Sequence, residues 1–389
     1  MGIMTNIRKI VCCAAGFIIS LTALGQGYQQ SNDNPSMLVH PTPDFRREII
    51  TPEVNGYQVV KADLHVHTIY SDGHISPEHR IKEAWIDGLD AIAITDHLEY
   101  RPCEKKMIKF LDGNVTRNEV EKGKPVADLN YPVSIAASQA RHRGITLIPG
   151  AEITRDPKEV GHFNVLFTKD NNLIYDPDPL QSLRNARKQG AIIQHNHPGW
   201  RKTDNEFTPV MNEAVKEGLI DGIEIFNTEE FYPDVIEKAV EKGYFVAGGT
   251  DIHSESDMDY FRHGFFRDMT LIFAKDASAE SIREALENGR TLAYGYGNIA
   301  GKKELLEDFF RAAVSVKVMY VESKGKKYLK ITNNSSFPFV ITINGGSPKM
   351  TLNGLNSFHH STGRDDIVIS VANMWYGTGK HPEIKFKYL

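Results

Sequence analysis

Lys61-Ala62-Asp63-Leu64-His65-Val66-His67-Thr68, followed at once by Ser71-Asp72-Gly73, is the stretch whose reading decides the fold. Asp63, His65 and His67 occupy alternate positions, and alternate residues of a strand share one face. Two imidazoles on one face, at the end of an apolar run, can reach a single cation. The same grammar recurs in Ile92-Ala-Ile-Thr-Asp96-His97, Pro149-Gly-Ala-Glu152, Gly161-His162-Phe-Asn-Val-Leu166, Gln194-His195-Asn-His197-Pro198 and Gly249-Thr-Asp251-Ile-His253. Each joins apolar strand residues to a ligand-type side chain.

Working outward, apolar strand-like runs alternate with helical segments from about Tyr57 to Tyr294. Strands are expected near 91–95, 145–149, 191–194, 222–226, 245–248 and 270–274, and helices near 133–143, 179–189, 233–242 and 278–288. Ser76-Pro77 opens a further helix with a capping hydroxyl and a proline in its first turn, and Gly88 closes it. Such alternation predicts a parallel-stranded α/β barrel, in which functional groups sit at the carboxyl ends of the strands. The polar stretch 101–132 has no clear strand and reads as an insertion over the barrel mouth, either a lid or a surface loop. Beyond residue 312, short alternating segments separated by Asn344-Gly-Gly and Asn353-Gly turns predict a small antiparallel β domain. Its lysines suit either a solvated face or anionic glycans, and Trp375 and Tyr376 suit either packing or an adhesion surface.

Residues 1–25 stand apart. Arg8 and Lys9 precede the apolar run Ile10 to Leu24, with small residues at Ala23 and Gly25, the layout of a secretory signal peptide; a membrane anchor is the alternative, against which the run is short. The expected organisation is therefore a leader over 1–25, an extension over 26–56, a metal-binding barrel over 57–300 and the β domain over 312–389. Cys12 and Cys13 lie in the leader, so Cys103 alone remains and no internal disulfide can form. That suits a periplasmic or secreted enzyme with a core large enough by itself. Without the leader the chain has 43 basic and 50 acidic side chains, a net charge of −7, which argues against nucleic acid as an obligate partner and for a small-molecule substrate. No stable membrane insertion is expected once the leader is removed, and the oligomeric state is not legible.

A lone histidine on an apolar strand is usually core or surface. Seven at strand ends, with carboxylates, would leave unpaired polar groups at a few kcal/mol each unless cations balance them. Nitrogen and oxygen donors without cysteine favour Zn²⁺, Mn²⁺ or Fe²⁺.

Taken in order, D-x-H-x-H at 63–67, S-D-G at 71–73, T-D-H at 95–97, Glu152, His197-Pro198 and T-D-x-H at 250–253 resemble the PHP (polymerase and histidinol phosphatase) superfamily over about residues 60–294. The resemblance implies a distorted (βα)7 TIM-like barrel holding two to three divalent metals. It implies His65, His67, Glu152 and Asp251 around one ion, Asp72, His97 and His253 around a second, and Glu152, His162 and His197 around a third. His195 is left open as ligand, proton donor or neighbour of a ligand, and Asp63 and Asp96 either orient ligating imidazoles or are structural strand-end carboxylates. Asp251 is expected to be catalytic as well as a ligand. Arg101, Arg201 and Arg267 are candidates for gripping phosphoryl oxygens, each otherwise a salt-bridge partner. The implied chemistry is phosphate-ester hydrolysis by metal-bound hydroxide. His40-Pro-Thr-Pro-Asp-Phe-Arg-Arg47 and Glu99-Tyr-Arg-Pro102 resemble exported bacterial phosphodiesterases of the Sb-PDE type, implying diesters; a monoesterase of the same fold and a non-catalytic metal-stabilised binding protein are the alternatives.

Overall fold

The computed structural model describes residues 45–102 and 128–388; the leader and most of the 101–132 insertion lie outside them. The large sheet is built from β1 (Gln58–Asp63), β2 (Ala91–Ile94), β3 (Thr146–Thr154), β4 (His162–Leu166), β5 (Ile192–His195), β6 (Gly222–Asn227), β7 (Glu230–Phe231), β8 (Phe245–Gly249), β9 (Met269–Ala274), β10 (Thr291–Gly295) and β11 (Asn298–Gly301). Around it lie α1 (Pro77–Ile86), α2 (Tyr131–Arg143), α3 (Pro179–Lys188), α4 (Pro209–Lys216), α5 (Val235–Glu241), the single turn α6 (Ser256–Asp259), α7 (Ala279–Glu287) and α8 (Lys303–Ala313). Helix starts follow local chemistry: the hydroxyls of Ser76, Thr208 and Ser278 and the Asp178 carboxylate each accept a first-turn N–H. Strands such as β2, β4 and β6 are buried along their whole length, because helices or the barrel interior cover both faces.

The chain folds as an α/β protein whose sheet curls in the order β11-β10-β9-β1-β2-β3-β4-β5-β6-β7, with β8 against β6. It is not uniformly parallel as the alternation suggested. The β1-β2, β2-β3, β5-β6 and β6-β8 pairs are parallel, whereas β4 opposes both its neighbours and β9 opposes β1 and β10. The reason at β4 is loop length: residues 155–161 are too few for the crossover that a parallel neighbour needs, so the chain turns straight back.

Between β8 and the β9-β10 pair, threonine hydroxyls take the place of a backbone ladder. Thr270 Oγ1 donates to Gly248 O (3.0 Å) and accepts from Gly248 N (3.2 Å), and Thr291 Oγ1 does the same for Val246 (2.7 and 3.0 Å). Gly248 must be glycine here, since a Cβ would lie 2.6 Å from Tyr294 O and 2.7 Å from Met269 O.

The C-terminal residues form two antiparallel sheets, β12 (Val314–Val321), β13 (Lys327–Asn333) and β16 (Ser357–Thr362), and β15 (Met350–Leu352), β14 (Phe339–Ile343), β17 (Asp366–Val371) and β19 (Glu383–Lys387). A further strand, β18 (Met374–Trp375), pairs in parallel with β11. Residues 303–311 carry no assignment from the sequence and 312–313 fall within the expected β domain, yet Leu306, Phe309, Phe310 and Ala313 recur at helical spacing and are buried with Phe337, Phe339, Ile341 and Ile384. This helix joins the cores of the large and small sheets.

If the threonines close the seam, Thr291→Val should lower stability by about 1–3 kcal/mol, because it strands a buried N–H and C=O. Denaturant unfolding checks this, and an unchanged midpoint would show that the seam closes without the hydroxyl.

Candidate metal centre

His65 and His67 leave β1 fully buried, their ring centroids 5.1 Å apart. An isolated bridge between Val66 and Ile252 brings the 251–253 segment alongside, and another between His97 and Glu152 aligns the end of β2 with β3. Glu152 lies at the centre. His97 Nδ1 approaches one of its oxygens at 2.5 Å and His162 Nδ1 the other at 3.2 Å, with His65, His67 and His197 Nε2 at 3.5, 3.6 and 3.6 Å. Asp251 Oδ1 is 2.9 Å from His67 Nε2 and 3.2 Å from His65 Nε2. Asp72 Oδ1 is 3.1 Å from His253 Nε2 and 3.4 Å from His97 Nε2.

Three overlapping donor sets result: His67, Asp72, His97 and His253; His65, Glu152 and His197; and His65, His67 and Asp251. His162 touches Glu152 but belongs to none of the three. Several donors have no hydrogen-bond partner of sound geometry although buried, namely His65 Nε2, His67 Nε2 and Asp72 Oδ1. Buried polar atoms are otherwise almost always satisfied, so these residues fit a divalent cation.

The far side of each ring fixes its tautomer. A carbonyl can only accept, so His162 Nε2 donates to Arg155 O (2.9 Å) and His253 Nδ1 to Asp251 O (2.7 Å), which leaves the other nitrogen's lone pair toward the cluster. His65 Nδ1 donates to Glu224 Oε1 (2.8 Å). His67 Nδ1 faces Ser71 Oγ (3.4 Å), whose hydroxyl donates to Asp96 Oδ1 (2.7 Å), so Asp96 orients the imidazole through a serine. Asp63 acts on backbone instead: Oδ1 accepts from the amides of His65 and Thr250, both at 3.2 Å.

Two supports were not anticipated. Glu224, fully buried in β6, also accepts from His197 N (2.8 Å) through its other oxygen; its sign in the sequence is a lone carboxylate inside the apolar run Gly222-Ile-Glu-Ile-Phe226. Arg80, on α1 and fully buried, donates to the carbonyls of His67 (2.9 Å), Ile252 (3.1 Å) and Ser254 (2.6 Å), with Glu83 balancing its charge at 2.8 Å. One cation thereby ties both ligand loops together.

Other expected site residues stand elsewhere. His195 packs against the rings of Phe163 (5.3 Å) and Phe207 (5.8 Å), and burial pushes its pKa down to about 3, so it stays neutral. Arg267 is fully buried, pairing with Asp63 (2.7 Å) and Asp87 (3.3 Å), which removes it from any substrate. Arg101 is buried beside the His97 carbonyl (3.4 Å). Trp200 lies against His162 and His197 (5.2 and 5.3 Å), with Arg201 over its outer face.

Burial opposes charge on His97, but Glu152 and Asp72 outweigh it and hold its pKa up at about 10. Burial and the neighbouring His97 push His67 down to about 4. Protons then stand in for cations on some rings and not others.

A polar cluster of this kind, at the strand ends of a curled α/β sheet, defines a metal-dependent hydrolase barrel, and comparison with known proteins narrows the class. The PHP domain model matches residues 63–202. The crystal structure of a two-domain protein containing a predicted PHP-like metal-dependent phosphoesterase from Bacteroides vulgatus is 32% identical, with a TM-score of 0.78 over 88% of this chain and 98% of that one. This chain belongs to that family, the PHP-like metal-dependent phosphoesterases. A protein assigned as a metal-dependent phosphoesterase from Bifidobacterium adolescentis is 16% identical over 60% of this chain and 98% of its own, with a TM-score of 0.40. A lesion-specific endonuclease from Pyrococcus furiosus is 18% identical over 63% of this chain and 59% of its own, with a TM-score of 0.38; neither likeness carries weight for mechanism. No curated protein matches the chain.

Two outcomes follow from this geometry. Glu224→Gln, which keeps size but loses the charge that steadies His65, should weaken metal affinity about 10-fold to 100-fold in a chelator competition while leaving the fold intact by circular dichroism. Loading metal at pH 7 should release on the order of one proton or more per chain, because His97 is protonated below its raised pKa; apparent affinity should therefore rise with pH. Calorimetry in buffers of different ionisation enthalpy reads this directly, and zero release would contradict the proton-for-cation exchange.

Proposed function

We propose that this phosphoesterase hydrolyses phosphodiesters of small molecules, using two to three divalent cations of the zinc, manganese or iron type. The observation that carries the reading is the convergence of five imidazoles within 3.6 Å of the Glu152 carboxylate, with Asp251 and Asp72 closing either side. His65, His67, Asp72, His97, Glu152, His197, Asp251 and His253 would hold the ions, with His162 at the edge. When bound, such cations supply an activated water near neutral pH and offset charge on phosphoryl oxygens. The chain's own residues do the rest. Glu224, Ser71 and the carbonyls of Arg155 and Asp251 fix which imidazole nitrogen faces inward, and Asn196 Nδ2 steadies Glu152 Oε1 at 2.9 Å.

A diester fits better than a monoester because Arg267, expected to grip a phosphoryl oxygen, is withdrawn from the site. Arg267 is consumed by Asp63 and Asp87, and a monoester dianion would need more positive charge at its third oxygen. We infer export as well, supported by the basic-then-apolar order of residues 1–25; among the described residues, no helix is long and apolar enough to cross a membrane.

Metal-reconstituted protein should cleave a p-nitrophenyl diester with kcat/KM about tenfold or more above the monoester with the same leaving group. Equal or better monoester cleavage reverses the substrate class, and tight metal binding without hydrolysis of either leaves a binding protein.

A further inference from the structure

Two loops that carry ligand-type histidines also build a cleft outside the metal cluster. Residues 155–161 lead into His162, and residues 198–208 follow His197; between them lies a cavity of about 460 Å³ lined by Lys158, Arg201, Lys202, Phe207 and Thr208. Thr208 Oγ1 donates to Val160 O at 2.7 Å, so the two walls are tied together at their far end. Arg201, in the wall of the cavity, places its guanidinium 4.3 Å from the ring of Trp200, which in turn lies against His162 and His197 at 5.2 and 5.3 Å. The cleft and the histidine cluster are therefore neighbours, linked through one indole.

The charge of the cleft is positive once its partners are counted. Asp204 and Glu206 also line it, so three cations face two carboxylates, and Glu206 Oε1 is in addition paired with Lys238 (2.8 Å). Lys202 Nζ is held by the carbonyls of Pro198 (3.0 Å) and Glu206, which aim its charge without neutralising it. Lys158 and Arg201 have no carboxylate partner among the described residues. Arg201 is moreover held at a φ of 54°, a left-handed conformation that a non-glycine residue adopts at a cost and that tends to persist where a side chain must be aimed.

We propose that this cleft is a subsite for a second anionic group, so that the substrate is a phosphoester bearing another carboxylate or phosphate beyond the scissile group. The proposal rests on the phosphoesterase reading of the metal centre for its inner end. Trp200 and Phe207 supply apolar flanks for the linking segment, and Lys158, Arg201 and Lys202 receive the distal anion.

Binding of ω-phosphonoalkanoates to the metal-loaded protein tests this without turnover, with methylphosphonate as the reference. At one linker length between three and six carbons, the carboxylate should tighten binding by about fivefold or more over methylphosphonate. The Lys158→Ala/Arg201→Ala double variant should lose that gain while keeping its metal content and its methylphosphonate affinity. No gain at any length, a gain that survives in the double variant, or an equal loss for methylphosphonate would each overturn the subsite. Failure of both methylphosphonate and its monomethyl ester, a diester-like monoanion, to bind the loaded wild type would instead count against the phosphoesterase site itself.

Discussion

The concentration of imidazole around one buried carboxylate is the constraint on which the rest depends. Glu152 is fully excluded from solvent, with five histidine rings within 3.6 Å, and burial alone would drive it to the neutral form; the surrounding histidines instead hold it well below the ordinary carboxylate range. Such a cluster is stable only when each polar atom faces an opposite charge or a lone-pair partner, since an unpaired charge in this environment costs several kcal/mol. Protons on the rings or divalent ions among them can each supply that balance.

Much of the barrel's buried polar structure meets that demand one shell further out. Glu224 fixes His65 and the His197 amide, Asp96 works through Ser71, and Asp63 holds the backbone of both His65 and Thr250. Two buried arginines complete the frame. Arg80 ties the His67 and 252–254 segments together through their carbonyls, and Arg267 bridges Asp63 and Asp87. These guanidiniums are structural cations because each of their forks is already filled, which is why neither can also serve a phosphate.

The glycines and threonines of the seam serve the same end. A fully laddered closure would need another pair of edges in register. Hydroxyl bridges from Thr270 and Thr291 let β8 lie close to β9 and β10, and they hold the strand that delivers Asp251 and His253. Gly249 faces Glu224 and the His65 side chain, where a Cβ would stand 2.5 Å from the Glu224 carboxylate.

The sequence by itself determined that histidines and carboxylates recur where apolar strands end, while their grouping, with His162 outside the three donor sets, was decided by the fold. Alternation at Asp63, His65 and His67 and the repeated strand-end motifs are local patterns, and local periodicity carries over into the fold unchanged. The α/β class and the antiparallel character of residues 314–388 were legible for the same reason. Tertiary structure alone decided strand direction at β4 and β9, because direction depends on where a turn sends the chain. It also decided the roles of single charges: His195 and His197 are two residues apart, yet one packs on phenylalanines and the other faces Glu152. Arg267 and Glu224 show the same limit, since a buried charge takes its role from partners 204 and 159 residues away in sequence, which no local pattern encodes.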